Sequence, residues 1–342
     1  PGGQKQKPDR RDRNMNVVRR LYPLLLLLGL STLPPSSEAG TPSGQPPPAR
    51  LRIAYAAPIG VMAPVWMAAE SGALKAEGLE VELILVEARA AIAALIAKEI
   101  DALEISAPGI IPAVIAGGDI TMIAGLLNKM IFSYHAHKDI KSPEQLHGKV
   151  VGSDRVGTAS DYGSRMSMSL LGIKPESNVS VLRIGGSNLL WPALQTGQIV
   201  AAPLTPPQSF GADALGFNRL VTTYHLPYQN VGIVVRKSEI DARLDTWVRL
   251  VRATREGIRR WYGDPKLARD VLTKYTKERD LERLQKTYEF FTKQAGFNED
   301  LTVTEQGVQQ ILTFLGSTVL PAAKNASPKQ IYDTRILDKI RQ

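Results

Sequence analysis

A glycine, two hydroxyl residues and a carboxylate stand between a predicted strand and a predicted helix, where they could contact a ligand. They are Gly157, Thr158, Ser160 and Asp161. The unpaired N–H groups of a helix start favour negative charge, so this turn could bind an anionic group. Alternatively, Ser160 and Asp161 only cap a helix that starts at Tyr162. Ser187 and Asn188 occupy an equivalent turn two strands later, and the same two interpretations apply there.

Arg89 is the residue that could select the charge of a ligand. It lies in the turn formed by residues 87–90, directly after a predicted strand. A guanidinium that faces a cleft offers a fixed, forked pair of N–H groups that suits a carboxylate or a sulfonate. The alternative is an exposed arginine that pairs with Glu87. Arg89 helps to bind an anion only if its guanidinium faces the cleft.

Signals for enzyme chemistry, metals and cofactors are weak in this sequence. The chain has no cysteine, which excludes disulfides, thiolate metal sites, a thiol nucleophile and a lipid-attachment cysteine. His135 and His137 could share one face of a strand, but no third metal ligand lies nearby in the sequence. No nucleophile elbow, P-loop or dinucleotide fingerprint is present. We therefore expect a protein that is not an enzyme and that uses neither a metal nor a cofactor.

Predicted strands and helices alternate along the chain and indicate an α/β protein. Apolar segments predict the strands, which are 51–55, 81–86, 102–105, 120–126, 150–152, 179–184, 199–202, 220–223 and 231–236. Single helices between successive strands imply parallel pairing with right-handed crossovers. Beyond residue 236 the pattern is helical, with one apolar stripe that includes Trp247 and Trp261 and another that includes Val308 and Leu315. We expect both stripes to belong to the core.

Two parts of the chain resemble each other at an offset of 99 or 100 residues. Six residues find the same type 99 positions later; they are Ala94, Leu95, Ile100, Ala102, Pro108 and Gly117. Gly72 and Val81 match Gly172 and Val181 at an offset of 100. Because the order of strands and helices repeats as well, we expect two similar α/β lobes.

Residues 15–39 have the pattern of a secretory signal peptide. Arg19 and Arg20 precede an apolar segment at 21–30, and small residues around position 39 fit a signal-peptidase site. This apolar segment is about half of the ~20 residues that a bilayer-spanning helix needs. We interpret residues 1–14 as an upstream extension outside the native protein and residues 40–49 as a flexible leader. The pattern predicts export to the periplasm without a lipid anchor.

The basic net charge does not indicate nucleic-acid binding. The whole chain carries +9, but residues 1–39 hold seven Lys/Arg and three Asp/Glu, so the remainder carries +5. In that remainder basic residues are scattered among acidic ones, with no basic run interleaved with aromatic residues. We expect no nucleic-acid partner.

Several motifs resemble the periplasmic solute-binding proteins of the aliphatic-sulfonate, taurine, nitrate and thiamine-pyrimidine ABC importers. The motifs are Ala68-Ala69-Glu70-Ser71-Gly72, Glu77-Gly78-Leu79-Glu80-Val81, Ala94-Leu95 to Asp101, Leu146 to Gly152, Gly157 to Asp161, and Tyr332-Asp333-Thr334. The resemblance covers residues 51–340. It implies a type II periplasmic-binding fold, a clamshell of two lobes that each hold a mostly parallel sheet flanked by helices.

The resemblance also implies how the chain divides and which loops surround a ligand. Lobe 1 would comprise 51–129 and 226–342, lobe 2 would comprise 130–225, and two hinge crossings would lie at 128–129 and 226–228. Besides the turns described above, the ligand loops would contribute Gly60, Met62, Ser106, Thr205 and Tyr228. Relatives carry small residues at the turn that holds Glu87 and Arg89, so Arg89 departs from the family pattern.

The expected function is the capture of a small organic molecule and its delivery to an ABC permease. The ligand would bridge both lobes and stabilise the closed form that the permease recognises. We expect an anionic ligand, a sulfonate or a carboxylate. A pyrimidine or thiamine precursor is the alternative, with stacking candidates Trp66, Tyr162, Trp191 and Tyr228. An enzyme or a sensor domain on the same fold also stays open. The protein would be a monomer that meets the membrane only through the permease.

Overall fold

Ten strands form two sheet systems in the part of the chain that the structure describes. The computed structural model describes residues 48–175 and 177–342. The strands are β1 (Ala49–Tyr55), β2 (Leu79–Leu85), β3 (Ala102–Ser106), β4 (Thr121–Gly125), β5 (Ser133–Ala136), β6 (Val150–Ser153), β7 (Ser180–Arg183), β8 (Ala201–Leu204), β9 (Asn218–Thr222) and β10 (Val231–Val235). The first system is one sheet in the order β2-β1-β3-β10-β4. The second system consists of β8-β5-β9 and β6-β7.

Helices connect these strands and follow them to the end of the chain. The α-helices are α1 (Ala63–Glu70), α2 (Ala73–Ala76), α3 (Ala88–Ile96), α4 (Ala107–Ile115), α5 (Ala159–Leu170), α6 (Leu190–Gln195), α7 (Gln208–Ala214), α8 (Leu244–Gly263), α9 (Pro265–Thr276), α10 (Leu281–Glu289), α11 (Glu305–Thr318) and α12 (Arg335–Arg341). Shorter 3₁₀ helices are Gly60–Met62, Pro143–Leu146, Ser187–Leu189, Lys237–Glu239, Pro321–Asn325 and Pro328–Gln330, and Phe290–Gln294 is a π-helical turn. Within the described residues, none of the helices combines the length and the apolar character that a membrane span requires.

The first sheet confirms the parallel pairing that the alternation of strands and helices predicts. β1 pairs in parallel with β2 and β3, and Ile53 lies opposite Leu83 and Ala102. β10 lies between β3 and β4 and runs antiparallel to both. The chain therefore leaves this sheet after β4, builds the second system, and returns to complete the first sheet with β10.

β5 is a strand that the apolar pattern does not predict. It runs antiparallel to β8 and β9, whereas β6 and β7 pair in parallel. All four residues of β5 are buried although Ser133 and His135 are polar. His135 tolerates burial because its Nε2 lies 2.9 Å from a carboxylate oxygen of Asp213, far away in the sequence. Pattern rules that expect polar residues at the surface miss such a strand.

The sequence repeat corresponds to repeated backbone geometry at two helix ends. α4 ends at Ile115 and α7 ends at Ala214, and the glycine two positions later has a φ of 85° at Gly117 and 77° at Gly216. Glycine adopts this left-handed conformation without the steric cost that a Cβ imposes. The two sheet systems thus share a strand–helix–turn unit.

The helical C-terminal region buries the stripes that the sequence assigns to the core. On α8, Trp247 and Trp261 are fully buried, and on α11, Val308 and Leu315 are buried as well. α8 packs along α1. The prediction that these residues are core is confirmed.

Gly257 allows α8 to lie against α1, because a Cβ at this position would meet backbone. The Cβ would lie 2.5 Å from the amide nitrogen of Ala68 and 2.8 Å from the carbonyl oxygen of Pro64. We expect Gly257→Ala to lower the free energy of unfolding by about 1–3 kcal/mol, measured by urea unfolding. Gly263→Ala in the same helix is the control, since a Cβ there meets nothing within 4 Å. Equal effects of the two substitutions would contradict close backbone packing.

The predicted upstream extension and signal peptide, residues 1–39, lie outside the described residues, as does most of the predicted leader. These assignments stay predictions.

Candidate ligand-binding site

A cavity lies where the carboxyl ends of strands from both sheet systems meet. Its volume is about 70 Å³, so as it stands it accommodates a compact ligand or the head of a longer one. Side chains from the first system, the second system and the connecting segments line it. Its apolar wall includes Ile59, Val61, Ile105 and Phe132. An apolar cavity with a few polar groups is the usual form of a small-molecule site.

The structure brings six of the thirteen predicted site residues together around this cavity. They are Met62, Ser106, Thr158, Ser160, Ser187 and Thr205. Met62 and Ser106 lie in the part of the chain that holds β1 to β3, and the other four lie between β6 and β9. Residues that are far apart in the sequence thus lie on opposite walls of one cavity.

The other seven predicted site residues lie outside the lining of the cavity. They are Gly60, Glu87, Arg89, Gly157, Asp161, Asn188 and Tyr228. A Cβ at Gly60 would face Phe291 at 2.8 Å, so this glycine points to the helical core. The backbone carbonyl of Asn188 accepts a hydrogen bond from Gln208 at 3.1 Å. Tyr228 is fully buried, with its ring centre 5.2 Å from that of Tyr162.

The turn before α5 is held by a buried carboxylate. Thr158 caps the helix, its Oγ1 accepting from the amide of Asp161 at 3.2 Å, and the helix starts at Ala159 rather than at Tyr162. The Asp161 carboxylate accepts from the amide of Gly157 at 3.1 Å and pairs with Arg165 at 3.2 Å. A second arginine, Arg183, pairs with it at 2.8 Å. Asp161 therefore anchors the turn from inside.

Two contacts join the first sheet system to the second beside the cavity. Glu87, at the start of α3, forms an ion pair of 2.8 Å with Arg155, which follows β6. Arg89 donates from Nη2 to the carbonyl oxygen of Val156 at 3.2 Å. Glu87 thus has a partner other than Arg89. Both side chains of the ion pair are more than a third exposed, so it contributes at most about 1 kcal/mol.

Asp154 is the functional candidate that sequence reasoning missed. It lines the cavity, and only 6% of its surface is exposed. Burial raises the pKa of its carboxyl, the amide of Arg155 offsets part of this effect, and the charge of Glu87 raises the pKa further. Its Oδ1 accepts from that amide at 2.7 Å. Asp154 directly follows β6, so the rule that selects polar residues at strand ends would have found it.

Ser160, Ser106 and Asn230 are among the hydroxyl and amide side chains that line the cavity. The Oγ of Ser160 is buried and has no hydrogen-bond partner. Ser106 donates to Oδ1 of Asn230 at 2.9 Å, and Asn230 donates to the carbonyl of Lys129 at 3.0 Å. Buried polar groups are normally paired, so the isolated Ser160 hydroxyl is a candidate contact for a ligand.

The two histidines do not form a shared site. His135 is paired with Asp213, whereas His137 lies beyond the end of β5 and is 3.2 Å from Asp139. Within residues 48–175 and 177–342, no group of three His, Cys, Asp or Glu side chains could hold a metal ion.

The fold and the position of the cavity define the class of this protein, which has the periplasmic-binding-protein fold. A ligand-binding component of an ABC-type import system from Staphylococcus aureus with zinc bound superposes with a TM-score of 0.70 at 15% identity, over 85% of this chain and 99% of that one. The alkanesulfonate-binding protein SsuA from Xanthomonas axonopodis pv. citri bound to MOPS gives 0.68 at 14% identity, over 80% and 95%. The periplasmic nitrate-binding protein NrtA from Synechocystis PCC 6803 gives 0.65 at 14% identity, over 86% of each chain.

The family follows from the sequence itself. Residues 60–268 match the NMT1/THI5-like family model, and the chain belongs to that family. No curated protein sequence matches it significantly.

Proposed function

We propose that this protein is the periplasmic solute-binding component of an ABC importer, which captures a small organic ligand and delivers it to a permease. The observation that carries the proposal is the cavity itself, because both sheet systems line it and two contacts beside it join them. The family and the fold support the same function. In this proposal the protein acts as a monomer and meets the membrane only through its permease.

The mechanism that we propose is closure of two lobes around the ligand. Lobe 1 comprises 51–129 and 226–342, and lobe 2 comprises 130–225. The two connecting segments lie side by side, with Lys129 bridged to Pro227, which suits a hinge. A ligand that contacts both walls stabilises the closed form in proportion to its preference for that form. The permease would recognise the closed form.

The sequence predicts an anionic ligand. This stays a prediction, since the arginine expected to bind the anion donates to a backbone carbonyl instead. Arg89 is outside the cavity, whereas the carboxylate of Asp154 lines it. Two like charges 4 Å apart repel by roughly 4 kcal/mol at an effective dielectric constant of about 20. A helix start attracts an anion by only about 0.3–2 kcal/mol. The balance disfavours an anion beside an ionised Asp154.

The stacking residues expected for the pyrimidine alternative pack against other aromatic residues. Trp66 stacks on Tyr275 with 4.6 Å between ring centres, and Trp191 lies against Phe217. Phe132 is the aromatic ring in the lining of the cavity.

A ligand screen by thermal shift tests the proposed function. The purified chain would be screened against sulfonates, carboxylates, amines and pyrimidines. A ligand at 100 times its dissociation constant should stabilise the folded state by about 2.7 kcal/mol, and it should be recovered unchanged. Consumption of the ligand would favour an enzyme, although Asp154 is the one titratable side chain among the described residues that line the cavity. A sensor would bind in the same way but without a permease partner.

Ser160→Ala should separate ligand affinity from stability. Because the Ser160 hydroxyl is buried without a partner, its removal should leave the free energy of unfolding unchanged or raise it by about 1 kcal/mol. Loss of one hydrogen bond to the ligand should weaken binding by about 0.5–1.5 kcal/mol, measured by calorimetry. Ser167→Ala is the matched control: its hydroxyl is also buried and unpartnered on α5, but it does not line the cavity. If both variants bind equally well, Ser160 does not contact the ligand.

A further inference from the structure

We propose that the cavity recognises a small cationic nitrogen group, an ammonium or an amidinium, through the carboxylate of Asp154. This inference rests on the proposed function and specifies the ligand class for the same cavity. Asp154 is the only charged side chain among the described residues that line the cavity. A ligand that supplies the missing opposite charge gains most from such a site.

The nearest arginines are already engaged by other groups. The guanidinium of Arg155 pairs with Glu87 at 2.8 Å, and Arg89 donates to the carbonyl of Val156. Glu87 and Arg155 compensate each other, and Arg89 does not line the cavity, so the negative charge of Asp154 is the one that faces the cavity. The protein leaves this charge beside the cavity, where a cation can compensate it.

The start of α5 does not provide free attraction for an anion. Asp161 already accepts from the amide of Gly157, and Asp154 precedes the same helix start. The Asp161 charge is itself compensated by Arg165 and Arg183. The positive end of the helix dipole is thus used by carboxylates of the chain rather than offered to a ligand.

The remaining polar groups of the cavity suit a ligand that donates hydrogen bonds. A carboxylate has about four lone-pair positions, so the amide of Arg155 and the hydroxyl of Thr158 together leave acceptor capacity on Asp154 for N–H groups of a ligand. The unpartnered Oγ of Ser160 can accept a further one. The apolar wall around Phe132 and Ile105 would hold the carbon skeleton of the ligand. An ammonium on a short apolar stem meets these requirements.

Matched probes of opposite charge test the inference by calorimetry on the purified chain. The probes are butylamine, butyrate and butanesulfonate, together with benzylamine, benzamidine, benzoate and benzenesulfonate. We expect the amines or the amidine to bind and the anions of equal size to bind at least tenfold more weakly. Asp154→Asn should weaken the cationic probes at least tenfold, whereas Asp154→Glu, which keeps the charge, should retain more of the affinity.

Asp139→Asn is the control, since it removes a carboxylate that is 87% exposed and does not line the cavity. It should leave binding of every probe unchanged. Thermal unfolding of each variant excludes misfolding as the cause of lost binding. Anions that bind the native chain and bind Asp154→Asn more tightly would overturn the inference but leave the proposed function intact. So would neutral pyrimidines that bind both forms equally well. Failure of every class in the wider screen would overturn the proposed function itself.

Discussion

Asp161→Asn should lower the free energy of unfolding by about 3 kcal/mol or more, although the two side chains have nearly the same shape. Asp161 is 1% exposed and balances Arg165 and Arg183, which are 14% and 28% exposed. Removing one partner from a buried ion pair typically costs about 3–5 kcal/mol, because the remaining charges lose their compensation. The partial exposure of the arginines places the expected effect at the lower end. Urea unfolding measures it.

An exposed ion pair provides the control for Asp161. Asp270→Asn removes a carboxylate that lies 2.7 Å from Lys266, with both side chains mostly exposed. This pair should contribute only about 0.3–0.5 kcal/mol. If Asp161→Asn costs no more than this control, the buried carboxylate does not hold the turn before α5. The same turn carries Thr158 and Ser160, so the stability of the cavity wall depends on it.

Glu104→Gln should remove a loss of stability that the native protein suffers as the pH rises. Glu104 is fully buried on β3, and neither carboxyl oxygen has a hydrogen-bond partner. Burial raises its pKa well above the ordinary value of 4.5. The folded state therefore keeps a proton that the unfolded state has released. The contribution of Glu104 to stability is therefore fully present below pH 4.5 and is lost as the pH rises through the pKa of the folded state.

The slope of this loss gives the measurement for Glu104. One proton of difference between the folded and unfolded states lowers stability by up to about 1.4 kcal/mol per pH unit. Urea unfolding between pH 4 and pH 8 should therefore show Glu104→Gln gaining on the native chain with each unit. Glu82→Gln, on strand β2 of the same sheet with an exposed side chain, is the control and should follow the native chain. Parallel curves for native protein and Glu104→Gln would refute a protonated carboxyl.

Local sequence patterns predict most of the fold because they report on residues that are close along the chain. Strands β1 to β4 and the buried stripe of α8 follow from apolar spacing. Ser142 and Gln145 have the spacing of a capping box, and in the structure they form one at the start of the 3₁₀ helix Pro143–Leu146. β5 was missed because the burial of His135 depends on Asp213, a partner that spacing does not reveal.

The candidate site was only partly predictable because its chemistry depends on contacts between distant segments. The position of Thr158 between a strand and a helix predicts it as a site residue, the family resemblance implies Ser106, and both line the cavity. Arg89 follows a strand end too, yet its guanidinium donates to the backbone carbonyl of Val156, on the opposite side of the cleft. The partner of Glu87 is likewise Arg155 rather than a neighbour in sequence. Only the three-dimensional arrangement shows that Asp154 supplies the charge of the cavity.

The position of β10 has a consequence for the order in which the protein folds. β4 ends at Gly125 and β10, its neighbour in the sheet, begins at Val231. A chain that emerges from a ribosome or a translocation pore with its N-terminus first exposes the unpaired edges of β3 and β4 until β10 arrives. The contiguous segment from β5 to β9 can pair meanwhile. β3 and β4 therefore appear before the whole second system but are sealed only after it, and their edges are the ones that need shielding from edge-to-edge association during biogenesis.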